Sequence, residues 1–327
     1  MFRASLVAAV LVAIQLAVLA APAGPSAAAA SAPLTIKVSD SSVTLGKPVT
    51  VSGKGPGTLR WVVLQMKTAE NGWQDVDRAF NGLSGSYSFT APGWYGTHRL
   101  RVFAPAALLA PAAVSEIRKV TVRTPYGPKG KSSDWAWISH PGARWDPCRA
   151  ITYRINPRGG YPRATADIRR TFRHVGRVTG YRFDYLGTTT RAVDRDRYDA
   201  HPAGTDVVVD WQTPRQEAAL SQRVAGWGGH WVQDGRRFNG FMLLDQSERL
   251  PRRTWRQLMA HEIGHVLGLG HADTRRQLMY GVSSSLNRRW GNGDLAALRR
   301  VGATRGCLVT PASRAVPGAG AVLVSAS

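Results

Sequence analysis

A chain of 327 residues is long enough for two domains of ordinary size, each with its own core. Hydrophobic residues at 43% and charged residues at 20% exclude a wholly disordered chain, and no internal repeat period is present. Lys and Arg exceed Asp and Glu by 22, with Arg supplying most of the excess in scattered positions. That balance fits a basic exported protein, or one drawn to anionic cell-wall polymer, a membrane surface or acidic substrates. Nucleic acid is not an expected partner, because no recognition motif accompanies the charge.

The chain opens with Arg3 in a short basic head, an apolar run from Leu6 to Ala21 broken only by Gln15, and then small residues. This is the layout of a secretory signal peptide over residues 1–32, with A-x-A cleavage options between Ala21 and Ala32; the alternative is an uncleaved membrane anchor, for which the run is short. Export leaves no membrane span in the mature chain and predicts a secreted, extracellular protein, expected as a monomer. Only Cys148 and Cys307 occur, and an even pair in an oxidising compartment most simply forms one disulfide, with two lone thiols as the alternative. Such a bond would close a loop of about 160 residues and stabilise the fold by roughly 4–5 kcal/mol on chain entropy alone.

From Leu34 to Val122 the sequence reads as short strands separated by turns. The candidates are 35–38, 49–52, 60–66, 73–76, 86–89, 98–103 and 117–122. About seven strands in ninety residues predict an all-β immunoglobulin-like sandwich over 33–123, although the Cys, Trp, Cys framework of antibody domains is missing. Its role reads equally as spacer, wall-binding module or inhibitory segment. "TPYGPKGKSSD", residues 124–134, reads as a linker or entry loop.

Beyond it strands mix with helices. "ITYRIN" reads as a strand. Pro162 then opens a helix whose Ile168, Phe172, Val175 and Val178 recur at helical spacing until Gly180 can cap it. "YRFDYLG", "TDVVVDW" and "GFMLLD" are further strands. A helix is predicted over Trp255–Leu267, and a last one in "NGDLAALRRVG", with Asp294 placed to cap it and Gly302 to stop it. The Ala, Gly, Pro and Ser tail over 310–327 reads as disordered.

The densest chemistry lies in "HEIGHVLGLGH", residues 261–271. His261 and His265, four apart, stand on one face of a helix and can hold one metal ion together, and Glu262 can point at a water on that ion. Zinc that works on a substrate wants three protein ligands and an open position. Gly268, able to take positive φ, can break the helix and return the chain so that His271 completes the set. Five fixed residues in that register arise by chance on the order of once in 10^5 chains of this usage.

These eleven residues match the metzincin signature, and "QLMYG" after them resembles the Met-turn of that clan. Within the clan the stretch is most similar to matrixin-type metallopeptidases, in a secreted, bacterial-looking form. The resemblance implies zinc ligands His261, His265 and His271, a general base at Glu262, a bend at Gly268 and Met279 beneath the metal. It implies a peptidase domain over 135–309 with a twisted mixed sheet, a central active-site helix, a C-terminal helix and a cleft across the zinc.

Departures accompany it. Gly281 stands where matrixins often carry proline, and Tyr280 directly follows Met279, which makes it a packing residue rather than a ligand. No cysteine precedes Cys148, so a cysteine-switch latency cannot operate from the N-terminal segment. His174, His201 and His230 are scattered and read as non-ligands. Asp199, Asp206 and Asp210 could contribute to a Ca2+ site, although they form no loop motif.

The expected reaction is zinc-dependent hydrolysis of a peptide bond in a protein or peptide substrate, with Glu262 moving the proton. The substrate would pair with a sheet edge for which "VAGWGGHW", residues 224–231, is the candidate, its glycines reading equally as room for another backbone or as a plain surface loop. The alternatives are a cell-wall-binding or adhesive protein with a secondary zinc site, and a zinc hydrolase acting on peptidoglycan peptides.

Overall fold

The computed structural model describes residues 33–308 and 322–326, except 56, 58, 108, 109 and 221–223; the signal-peptide region over 1–32 lies outside them. Among the described residues no helix is long and apolar enough to cross a membrane.

Residues 33–123 form nine strands: β1 (Lys37–Val38), β2 (Ser42–Thr44), β3 (Thr50–Lys54), β4 (Trp61–Lys67), β5 (Trp73–Phe80), β6 (Ser86–Thr90), β7 (Gly96–Ala104), β8 (Ala113–Val114) and β9 (Arg118–Arg123). All seven predicted strands are present; β2 and β8, too short to show an alternation, were not predicted. One sheet runs β1-β3-β6 and the other β2-β9-β7-β4-β5, with β8 paired to β7. Alternate residues such as Leu100 and Val102 on β7 and Val62 and Leu64 on β4 turn inward and make one apolar core.

The second body is built from β10 (Ile151–Ile155), α1 (Ala164–Thr179), β11 (Phe183–Thr188), β12 (Val207–Gln212), β13 (Gly226–Gln233), β14 (Arg236–Asp245), α2 (Arg252–Leu267), α3 (Asn292–Val301) and β15 (Val322–Ala326). Its sheet runs β11-β10-β12-β14-β13-β15, parallel from β11 to β14 and antiparallel at β13 and β15. The strand β12 is buried along its whole length, as a central parallel strand covered on both faces must be. On α1 the predicted stripe of Ile168, Phe172, Val175 and Val178 faces the core, where Phe172 stacks on Tyr153. Asp167 in its first turn is buried and accepts two hydrogen bonds from Arg252, so the start of α1 is tied to the start of α2.

Two expectations change. Val322–Ala326, assigned by composition to a disordered tail, forms β15; residues 309–321 and 327 lie outside the described ones. The stretch VLVSA is itself rich in strand-forming residues, but it is short and the Ala, Gly, Pro and Ser around it dominate the composition of the tail. Gly302 ends α3 at φ −81°, which needs no glycine; a Cβ there would instead collide with the Thr179 carbonyl.

The two bodies meet at the disulfide. Cys148 and Cys307 are bonded, with their Cα atoms 5.2 Å apart. The turn between β4 and β5 sits on this bond. Gln74 Nε2 donates to Cys307 Sγ at 2.8 Å, and the Cys307 N–H donates to Gln74 Oε1 at 3.1 Å. Glu70 binds Arg305 and the fully buried Arg144, and Arg144 also donates to the Gly306 carbonyl at 2.6 Å. The segment 124–134 is an anchored entry loop and not a free linker. Asn292 N–H donates to the Lys129 carbonyl at 2.7 Å, and Asp134 accepts the Asp273 N–H at 2.8 Å.

Burial pushes the Glu70 carboxyl up, but hydrogen bonds from Arg305 and Arg144 outweigh it and hold its pKa below the ordinary 4.5. The stability it contributes is therefore present above pH 4.5 and is lost as pH falls through the lowered folded value. Glu70→Gln is expected to be less stable than wild type at pH 7, with the gap narrowing at pH 3.5. Denaturant melts at the two pH values check this, and a gap of equal size at both would contradict it.

Candidate metal centre

His261, Glu262 and His265 lie on the last two turns of α2, buried to 6% exposure or less, and face β13. Gly268 caps the helix at φ +105°, a left-handed conformation that side-chain-bearing residues rarely adopt. The returned chain is then pinned. Ile138 N–H donates to the Gly268 carbonyl at 3.1 Å, and Gly270 N–H donates to the Ala136 carbonyl at 2.8 Å. His271, half-buried, comes back over the helix. Its Nε2 is 3.3 Å from that of His261, and His261 and His265 Nε2 are 3.0 Å apart.

Backbone carbonyls decide what those nitrogens carry. His261 Nδ1 contacts the Leu278 carbonyl at 2.8 Å and His265 Nδ1 contacts the Leu269 carbonyl at 2.7 Å. A carbonyl only accepts, so both Nδ1 atoms bear the proton and both Nε2 atoms present a bare lone pair. Burial favours the neutral rings: it lowers the His261 pKa to about 4, drives that of His265 well below the usual histidine value and lowers that of His271.

Lone pairs turned toward one point repel unless a cation lies between them. Two imidazoles on one tetrahedral zinc at about 2.0–2.1 Å stand roughly 3.3 Å apart, close to the separations found. The donor set therefore fits zinc. Among the described residues these three histidines are also the one cluster of potential metal ligands, with ligand atoms within 4.8 Å of one another.

Glu262 is 1% exposed, and its Oε2 has no hydrogen-bond partner. Burial raises its pKa well above the usual carboxylate range, opposed by the Gly228 backbone N–H. The strand β13 approaches α2 this closely because it carries glycine there: a Cβ on Gly228 would collide with the Glu262 carbonyl oxygen, and one on Gly226 would meet Glu262 Oε1 at 3.0 Å. Gly226 and Gly228 of "VAGWGGHW" thus make room for the helix beneath. The outer edge of β13 is paired with β15, from Val232 opposite Val322 to Gly228 opposite Ala326.

Met279 is buried under the site, against Gly264 of α2. Its turn is held by Asp294, which accepts N–H bonds from Leu278 at 2.5 Å, Met279 at 3.2 Å and Gly291 at 2.8 Å. Asp294 was expected only as a helix cap. It does cap α3, from the third helical position, and it also fixes the carbonyl that orients His261. Burial raises its pKa to about 7 against those three donors.

A second support was not foreseen. His230 Nδ1 donates to the His265 carbonyl at 3.0 Å and its Nε2 accepts from Arg237, whose buried guanidinium fills the space that a Cβ on Gly268 would need. No spacing links these residues in sequence. Of the other histidines, His201 contacts the Gly240 carbonyl and His174 lies on α1, so neither joins the triad. Asp199 and Asp206 line one pocket with His201, but Asp210 does not, and no three of these groups converge as metal ligands among the described residues. Asp199 pairs with Arg197, Asp206 accepts the Thr152 N–H, and Asp210 accepts the Val193 N–H.

A methyl group on Gly264 would collide with Met279 Sδ. Gly264→Ala is therefore expected to cost about 1–3 kcal/mol. The double variant Gly264→Ala/Met279→Ala should lose less than the sum of the two single changes, because the added methyl takes space the sulfur vacates. Chemical denaturation of the four proteins checks this, and strict additivity would contradict it.

Residues 144–298 match the peptidase family model described as Matrixin, a span that begins before β10, ends within α3 and includes all three histidines, Glu262 and Met279. No curated protein matches the chain. The match supports reading residues 144–298 as a matrixin-like metallopeptidase domain.

Proposed function

We propose that this protein is an exported zinc endopeptidase that hydrolyses peptide bonds in protein or peptide substrates, with His261, His265 and His271 as metal ligands and Glu262 as general base. The observation that carries this reading is the convergence of three neutral imidazoles beside a buried carboxyl with an unpartnered oxygen. When bound, zinc supplies a Lewis acid that polarises the scissile carbonyl and acidifies water.

The chain's own residues do the rest. Glu262, held by the Gly228 N–H and enclosed by α2 and β13, takes a proton from the attacking water and returns it to the leaving amine. Burial shifts the Glu262 carboxyl upward, the direction that eases return of the proton to the leaving amine. The Leu278 and Leu269 carbonyls keep two imidazoles in the tautomer that a metal needs. Met279 and the Asp294-held turn keep the floor in place.

An extended substrate would add to β13 as an antiparallel strand, with backbone hydrogen bonds giving affinity. On this reading β15 occupies the place where that substrate would pair. The N-terminal body, two sheets around one core, supports an immunoglobulin-like reading, and its position supports the role of a scaffold. Its contacts described above fall on residues of the disulfide seam, and none involves the three histidines or Glu262. The apolar leader and the paired cysteines support export.

Glu262→Gln should leave zinc content and thermal stability close to wild type and lower hydrolysis of an unfolded protein substrate by at least 10^2-fold. Metal analysis beside a cleavage assay with and without chelator tests this, and a variant with wild-type turnover would overturn the mechanism. Removal of residues 322–327 should raise kcat/KM on an extended peptide several-fold through a lower KM. An unchanged or higher KM would show that the peptide does not pair with the β13 edge.

A further inference from the structure

On a different stripe of α2, beside the metal-binding face, a cavity of about 690 Å3 opens between α1, α2 and the loop that leads into α3. Its floor is made by buried side chains, among them Gln257, Ala260, Leu278 and Trp290. Its rim is arginine. On α1, Arg170, Arg173 and Arg177 recur at spacings of three and four and so share one face of the helix. On α2, Arg253 and Arg256 lie one turn apart, and Arg288 and Arg289 close the third side. His261, Glu262 and His265 do not line it.

No acidic side chain among the described residues lines this groove. Arg256 comes within 3.7 Å of Asp167, but that carboxylate is already held by Arg252, and Arg256 Nε is buried with no hydrogen-bond partner. The other six arginines have no carboxylate within 4.0 Å among the described residues. Seven guanidiniums around one concavity, with a single shared counter-charge, make a strongly positive site. Guanidinium matches phosphate oxygens in bidentate geometry.

Size and lining narrow the ligand. From Arg170 to Arg177 the helix advances about 10 Å, so one phosphate cannot meet both ends of the α1 row and the opposite loop, whereas a chain of phosphates can. Single-stranded nucleic acid is gripped by exposed Trp, Tyr or Phe rings as well as charge, and the lining offers only Trp290, which is 1% exposed, and the small exposed imidazole of His174. We propose that the arginine-rimmed groove between α1, α2 and residues 288–290 is a binding site for a flexible linear polymer of phosphate groups without bases, separate from the peptide-bond chemistry.

The test uses the full exported chain and fluorescently labelled long-chain inorganic polyphosphate. The triple variant Arg170→Gln, Arg253→Gln, Arg288→Gln removes one charge from each wall. A matched control, Arg99→Gln, Lys119→Gln, Arg123→Gln, removes three exposed charges from β7 and β9. The groove variant should bind at least 10-fold more weakly, with a log–log salt slope smaller by about 2, since each lost phosphate contact removes roughly 0.7. The control should change affinity less than 2-fold at unchanged slope. Equal losses in both triples, or no saturable binding by wild type, would overturn the site. Tighter binding of a single-stranded oligonucleotide of equal phosphate number, lost in the groove variant, would overturn the choice of ligand.

Discussion

Two imidazole lone pairs fixed toward one point, with the Nε2 of a third imidazole closing on them, are unfavourable in a protein core without a cation, and much of the second body is arranged to keep the rings so placed. Each support acts on a backbone carbonyl. The Leu278 carbonyl sets the tautomer of His261, and Asp294 holds Leu278. The Leu269 carbonyl does the same for His265, and the left-handed bend at Gly268 delivers it. The His265 carbonyl is in turn held by His230, with Arg237 behind. Burying this much polar structure is costly unless every donor meets an acceptor, and the donor and acceptor pattern is nearly complete once the three Nε2 atoms share a cation. Glu262 Oε2 and Arg237 Nη2 are the atoms of this network left without a hydrogen-bond partner among the described residues.

The same economy of space explains the glycines. Gly264 makes room for the Met279 sulfur, Gly226 and Gly228 let a strand lie on the helix, and Gly268 makes room for a buried guanidinium while taking a positive φ. The result is a thin layer in which strand, metal-binding helix and Met-turn are in direct contact. The N-terminal body supports this layer from a distance. Its β4–β5 turn grips the disulfide that joins the two ends of the second body, and the entry loop then runs to the Met-turn through Asp134 and Asn292.

Much of this was legible in the sequence because it is local. The three histidines, Glu262 and the Gly268 bend lie within eleven residues of one helix and one turn, where spacing determines which side chains share a face. The strands of the first body showed as alternation, and α1 as a stripe of Ile168, Phe172, Val175 and Val178. What could not be read depends on distant partners. Asp294 looks like a helix cap until the Met-turn is folded onto it. Arg237 and His230 carry no spacing that links them to His265. Gly226 and Gly228 carry no spacing that reveals that the space they leave is taken by Glu262 of the helix below. The strand β15 is a five-residue VLVSA stretch lost within an Ala-, Gly-, Pro- and Ser-rich tail.

The account stands on one claim, that His261, His265 and His271 together hold a single zinc ion. X-ray absorption at the zinc edge on the purified protein, with metal content measured on the same sample, tests it most directly. The account predicts one zinc per chain with three imidazole nitrogens at about 2.0–2.1 Å and no sulfur. A site with fewer than three imidazoles, a sulfur shell, or protein that takes up no zinc at neutral pH would contradict it.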